Sequence, residues 1–166
     1  MFLYIVRHAW AGHSGDPAWP DDAQRPLTDE GRKRFAKVAR RLAQAGCSPA
    51  LIASSPLVRC RQTAAVLAER LPGGPPIVEL DALRPGSDLE ALLQWTAEQA
   101  PSDVAWVGHA PDVGRMTAAL IGEGQGHIRL AKGGCAAIAI DGPPRLAGGE
   151  LYWLATARLL GVKESQ

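Results

Sequence analysis

The 166-residue chain predicts an α/β fold: a three-layer α/β/α sandwich around a mostly parallel sheet, as a single domain over residues 1–166. Three observations predict it. Short apolar, β-branched runs alternate with segments of helical periodicity, which is the pattern of strands joined by crossover helices. Apolar residues make up 46% and charged residues 21%, the balance of a globular domain with its own core. No linker or internal repeat interrupts the alternation.

Phe2–Val6 reads as the first buried strand. Ala9–Pro26 is polar and broken by Gly12, Gly15, Pro17, Pro20 and Pro26, so it reads as a long loop of the kind that often carries function. Thr28 is placed to cap a helix, with Asp29 and Glu30 at its positive end. Phe35, Val38, Ala39 and Leu42 form one apolar stripe on it, and Gly46 is the expected stop.

Leu51–Ala53 reads as a second strand. Ser55 is then expected to cap a helix with Pro56 at its first position, and Cys60, Ala64, Leu67, Ala68 and Leu71 form its buried face. Ile77–Leu80 reads as a third strand. Ser87–Glu90 matches a capping box, which predicts a helix with the stripe Leu89, Leu92, Leu93 and Thr96. Val104–Val107 reads as a fourth strand. A turn through His109 and Pro111 leads to a helix with stripe Val113, Met116, Thr117 and Leu120. Cys135–Ile140 and Leu151–Ala155 read as two further strands joined by a Gly/Pro-rich turn.

Charge and cysteine usage bound the function. Eighteen Lys+Arg against 17 Asp+Glu give a net charge of +1, which does not suggest a nucleic-acid or acidic-membrane binder. No apolar run approaches the ~18 residues of a membrane span. The three cysteines are widely spaced and form no CxxC, so neither a disulfide framework nor a zinc ribbon is expected and a reducing cytoplasm fits. The histidines form no HExxH and no close pair, so no metal is expected.

Ligand sites in such folds lie beyond the carboxyl ends of the strands. Arg7 and His8 follow the first strand, Arg59 lies in the helix after the second, and His109 follows the fourth. Each alone reads as a surface charge or a structural histidine. Two Arg and two His on one rim suit phosphoryl transfer. Its transition state spreads negative charge over three equatorial oxygens, which guanidinium forks match. A neutral His8 can attack phosphorus and form a phosphohistidine. His109, if protonated, can donate to an equatorial oxygen, and the helix from Pro111 can aim its N–H groups at the same anion.

Four motifs carry a resemblance: Leu3-Tyr-Ile-Val-Arg7-His8-Ala9, Arg25-Pro-Leu-Thr28-Asp-Glu-Gly31, Ser54-Ser-Pro-Leu-Val-Arg59-Cys-Arg-Gln-Thr63-Ala and Val107-Gly-His109-Ala-Pro. In this order they resemble the histidine phosphatase (phosphoglycerate-mutase-like) superfamily over about residues 2–120. The short length and the Arg-Pro-Leu-Thr segment are most similar to its small phosphohistidine-phosphatase branch, the SixA type. The resemblance implies that His8 is the nucleophile, that Arg7, Arg59 and His109 complete the phosphate pocket, and that no metal or other cofactor takes part.

Two departures stand out. The family often has Gly after the nucleophile, where this chain has Ala9. Many members place a Glu general acid shortly after the third strand, and that position holds Ala82. Asp81, Asp88, Asp16, Asp21 and Asp22 remain open as substitutes. A missing acid fits a phosphohistidine substrate, because imidazole leaves more readily than an alkoxide. The expectation is a phosphohistidine protein phosphatase, a cytoplasmic monomer in signal transduction with a phosphorylated protein as partner. A small-molecule phosphomonoesterase and a phosphate-binding module without turnover remain alternatives; a mutase fits least.

Arg25 and Ala110 are further substrate-binding candidates, with a structural role for Arg25 equally open. His13 reads as a solvated loop residue, Trp10 and Trp19 as loop anchors, Cys60 as an inert buried thiol and Arg61 as a solvated charge.

Overall fold

The computed structural model describes residues 1–163; the last three residues of the expected domain lie outside the described residues. Six strands form one sheet in the order β3-β2-β4-β1-β5-β6: β1 (Phe2–Arg7), β2 (Leu51–Ser54), β3 (Ile77–Glu79), β4 (Val104–Gly108), β5 (Cys135–Ile140) and β6 (Gly149–Ala155). The first four run parallel to their neighbours, and β5 and β6 add an antiparallel hairpin beside β1.

Alternation along β1 builds two cores, one on each face. Tyr4 and Val6 pack with Phe35, Val38 and Leu42 of α1 (Asp29–Gln44) and Ala64 and Leu67 of α2 (Val58–Arg70). Leu3 and Ile5 pack on the opposite face with Leu92 of α3 (Leu89–Gln99) and Val113, Met116 and Leu120 of α4 (Asp112–Ile121). The sandwich expected from the sequence is therefore the observed one. The helix after β1 goes to one face and the helix after β4 to the other, although β1 and β4 are neighbours. That divergence opens a crevice at their carboxyl ends.

Local signals explain most boundaries. Thr28 caps α1 through its hydroxyl, which accepts from the Gly31 N–H at 2.9 Å. A side chain at Gly31 would collide with the Trp10 carbonyl, so only glycine lets the first loop close against the helix. Two helix starts differ from expectation. Helix α2 begins at Val58 with Leu57 as cap and no side-chain cap bond, and the Ser55 hydroxyl lies 2.9 Å from His109 Nε2. Helix α3 is capped by Asp88, not Ser87, since the Asp88 carboxylate accepts from the Ala91 N–H at 3.0 Å.

Candidate active site

The pairing of β1 with β4 sets the site. Arg7 lies opposite Gly108, so His8 and His109 emerge side by side. The His8 N–H donates to the Gly108 carbonyl (2.9 Å), and the two imidazoles sit 5.4 Å apart, tilted by 58°. Both histidines are buried, as is Arg59 from the first turn of α2. The structure thus gathers the four residues at the carboxyl ends of β1 and β4.

His8 is oriented by its own chain. Its Nδ1 lies 2.8 Å from the Ala9 carbonyl, which can only accept, so Nδ1 carries the proton and Nε2 keeps its lone pair. Burial lowers the His8 pKa to about 3, with help from His109, Arg59 and Arg7, so the ring is neutral at physiological pH with a free lone pair on Nε2. Ala9 does not adopt positive φ, so its side chain is accommodated where relatives often have glycine. The Ala9 N–H donates to the Thr63 hydroxyl (3.0 Å), which in turn donates to the Arg59 carbonyl (2.7 Å). Thr63 therefore couples the nucleophile's backbone to that of Arg59.

Both guanidiniums are held, and each keeps one unpartnered donor. Arg7 Nη1 donates to the Leu130 carbonyl (2.9 Å), and Arg59 Nη1 donates to the Asp22 carbonyl (2.8 Å). The Nε–H groups of Arg7 and Arg59 are buried without a hydrogen-bond partner in the protein. Orphaned buried donors are costly, and two on one cleft suit an anion with several acceptor oxygens.

His109 is neutral as well. Burial lowers its pKa to about 4, with Arg59 adding repulsion. The expected protonated donor is thus replaced in the resting site by a neutral ring with one N–H. Its Nε2 lies 2.9 Å from Ser55 Oγ and 3.4 Å from Cys60 Sγ. Burial pushes the Cys60 thiol up to about 12, so it stays a thiol, as expected of an inert buried cysteine.

Of the carboxylates left open by the sequence, Asp22 is the one bound to Arg59. Its Oδ2 lies 3.1 Å from Arg59 Nη1, and its Oδ1 accepts from Arg25 Nε at 2.8 Å. The Arg25 bond and the nearby Arg59 charge hold its carboxyl below the usual range, so Asp22 is ionised. Arg25 is buried, and its Nη1 donates to the Gly12 carbonyl (2.7 Å), which makes it a tie for the first loop. The carboxylate of Asp81 is exposed and paired with Arg84 at 2.7 Å. Asp16, Asp21 and Asp88 each bond a nearby backbone N–H in a turn or cap.

The remaining expectations divide. Ala110 is exposed at the rim immediately after His109. Trp10 is half-buried under the Arg34 guanidinium (4.0 Å), an anchor as expected, whereas Trp19 is exposed in a turn closed by its N–H bond to the Asp16 carbonyl. His13 is exposed, and Arg61 is exposed beside Glu79 at 3.6 Å. The positive end of α4 already carries a carboxylate, that of buried Asp112, which accepts from the Gly86 N–H at 2.8 Å. Sequence reasoning gave Thr63 and Asp112 no role; Thr63 lay within a quoted motif, and nothing in the local pattern marked Asp112.

No helix among the described residues is long and apolar enough to cross a membrane. A sequence profile of the histidine phosphatase superfamily (branch 1) matches residues 3–129. An uncharacterized protein of Picosynechococcus sp. is 41% identical over 138 residues, covering 81% of this chain and 82% of that one. A putative phosphohistidine phosphatase SixA from Agrobacterium tumefaciens superposes with a TM-score of 0.75 at 26% identity, covering 93% of this chain and 97% of that one. The protein histidine phosphatase SixA complexed with tungstate superposes with a TM-score of 0.83 at 22% identity, covering 96% and 99%, a likeness of fold. A putative alpha-ribazole-5'-P phosphatase from Escherichia coli shares the fold at a TM-score of 0.72 and 18% identity, covering 95% and 98%. With well over half of its length matched by the family profile, the chain belongs to the histidine phosphatase superfamily and is a phosphatase of that type.

Proposed function

We propose that this phosphatase removes phosphoryl groups from phosphohistidine on proteins, through a covalent intermediate on His8. Nε2 of His8 attacks phosphorus in line while the P–N bond to the substrate ring breaks. The electron pair leaves on the substrate imidazole, which takes a proton from solvent. Water then attacks phosphorus, the bond to His8 breaks, and the attacking water's proton passes to solvent or the released phosphate. His8 returns to its neutral form. Arg7, Arg59 and His109 bind the phosphoryl oxygens through both steps. The nucleophile and the compensating charge come from side chains, so the scheme uses no metal.

The observation that carries the substrate class is the state of the carboxyl groups that could donate a proton to a leaving group. Position 82 is Ala, Asp81 faces Arg84, and Asp22 is held ionised by Arg25 and Arg59. An alkoxide leaving group needs a proton donor, whereas imidazole needs less help. The likeness to the Agrobacterium protein supports the same reading. We further place the enzyme in the cytoplasm as a monomer of one domain, acting in phosphohistidine signalling. Its three buried free cysteines suit a reducing compartment.

The test is substrate competition. Phosphate release is followed from a phosphohistidine-bearing protein, a sugar phosphate and an aryl phosphate, with EDTA present. Fastest turnover of the phosphohistidine protein supports the proposal. Far faster turnover of sugar phosphate overturns it in favour of a small-molecule phosphomonoesterase.

A further inference from the structure

The Ser55 hydroxyl sits where a helix cap was expected, yet its shortest bond is to a catalytic-site ring. Its oxygen lies 2.9 Å from His109 Nε2. The other ring nitrogen, Nδ1, has only the Cys60 sulfur near it, at 3.9 Å. A neutral imidazole has one donor and one acceptor, and the partners of one nitrogen decide the role of the other.

The surroundings decide the direction of the Ser55 bond. The Leu57 N–H, which can only donate, points at Ser55 Oγ from 3.4 Å and occupies a lone pair. The Cys60 S–H has the Gly108 carbonyl as an acceptor at 3.7 Å. Unprotonated phosphoryl oxygens only accept, so a lone pair on Nδ1 would repel them. With Ser55 donating to Nε2 and the proton on Nδ1, each of these groups is satisfied and an N–H is left for the anion.

We propose that Ser55 is a positioning residue that fixes the tautomer of His109, so that Nδ1–H faces the phosphoryl group. The inference rests on the reading of His109 as a phosphoryl-oxygen donor. The scaffold is rigid. The Ser55 N–H donates to the Val107 carbonyl (3.0 Å), and Ser54 pairs with Val107 where β2 meets β4. Ser55 and His109 thus hang from adjacent strands. Cys60, fully buried, supplies a neutral sulfur floor for the ring. Free histidine favours the proton on Nε2, so Ser55 reverses the ring's own preference.

The test combines nitrogen-15 NMR of the histidine rings with kinetics on an aryl phosphate and titration with inorganic phosphate. Wild type is expected to show His109 as the Nδ1–H tautomer, with and without phosphate. Ser55→Ala is expected to move the proton to Nε2, weaken phosphate binding, and lower kcat about 10–100-fold without a matching loss of Tm. Ser55→Thr, which restores the hydroxyl, is expected to recover tautomer and rate. A wild-type Nε2–H tautomer in the phosphate complex overturns the inference. So does a folded Ser55→Ala protein with unchanged tautomer and rate. If Ser55→Ala does not fold, the wild-type spectrum decides alone. Should no substrate be turned over, the functional reading fails separately, since tautomer and phosphate titration still answer for Ser55.

Discussion

Asp22 meets Arg59 twice: its backbone carbonyl accepts from Nη1 at 2.8 Å, and its carboxylate stands 3.1 Å from the same nitrogen. The same carboxylate takes Arg25 Nε at 2.8 Å. Asp22 thereby fastens the first loop to the Arg59 guanidinium, whose Nε–H is buried without a hydrogen-bond partner in the protein. The ionised carboxylate also competes with an incoming anion for the charge on Arg59.

Asp22→Asn keeps the backbone bond and removes that competing charge. Inorganic phosphate is expected to inhibit the variant more tightly, by up to about fivefold, the equivalent of about 1 kcal/mol for a partly exposed ion pair. A small loss of Tm should accompany it. Product inhibition constants measured at fixed ionic strength check this; weaker inhibition would mean that the carboxylate chiefly aligns Arg59.

Arg59→Ala removes a buried, unpartnered donor that the proposal assigns to the phosphoryl group, and leaves Asp22 without one of its two cations. kcat/KM is expected to fall at least about 100-fold. Arg59→Lys should recover little of it, because a point charge cannot replace a planar fork that bonds Asp22 and phosphate together. Steady-state kinetics on the preferred substrate check both.

Acid should weaken the fold through the two histidines. Their folded pKa values, about 3 for His8 and about 4 for His109, lie below the ordinary 6.5. As pH falls below 6.5 the unfolded chain takes up protons that the folded one refuses, so stability drops. Between roughly pH 4.5 and 6 each histidine contributes a slope of about 1.0–1.3 kcal/mol per pH unit. Urea unfolding across that range checks it, and His8→Asn should cut the histidine share by about half. The same depression keeps His8 nucleophilic in mild acid, so the rate should not fall through protonation of free His8 near pH 6.

Ala82→Glu places a carboxyl group at the position where the family resemblance leads one to expect a general acid. Turnover of alkyl phosphate esters is expected to rise at least about tenfold relative to phosphohistidine. Comparing the two substrate classes in wild type and variant checks it. An unchanged ratio would show that the leaving group is not what position 82 governs.

Most of the fold is legible in the sequence because each element satisfies its own local pattern. The stripe Phe35, Val38, Ala39, Leu42 is buried throughout, and Cys135–Ile140 is the observed fifth strand. The edge strands are less legible. β6 starts at Gly149 because Gly149 and Glu150 pair with Ile140 and Ala139, a constraint set across the hairpin and not by local pattern. At the site, Arg7, His8 and His109 stand out as charged or titratable groups at strand ends, and Arg59 in the first turn of the helix after β2. Their supports do not. Asp22 reaches Arg59 across 37 residues, and the Leu130 carbonyl reaches Arg7 across 123. Backbone acceptors carry no side-chain signature, and Ser55 looks like a cap because serine serves both purposes.

The central claim is that His8 carries the phosphoryl group. The enzyme is mixed with a phosphohistidine-bearing protein, quenched within milliseconds, and mapped by mass spectrometry under alkaline conditions that preserve phosphohistidine. A transient phosphoryl group on His8, absent from His8→Ala together with phosphate release, is the predicted result. Rapid phosphate release by wild type with no phosphorylated His8 at any time, or undiminished release by His8→Ala, would contradict the account.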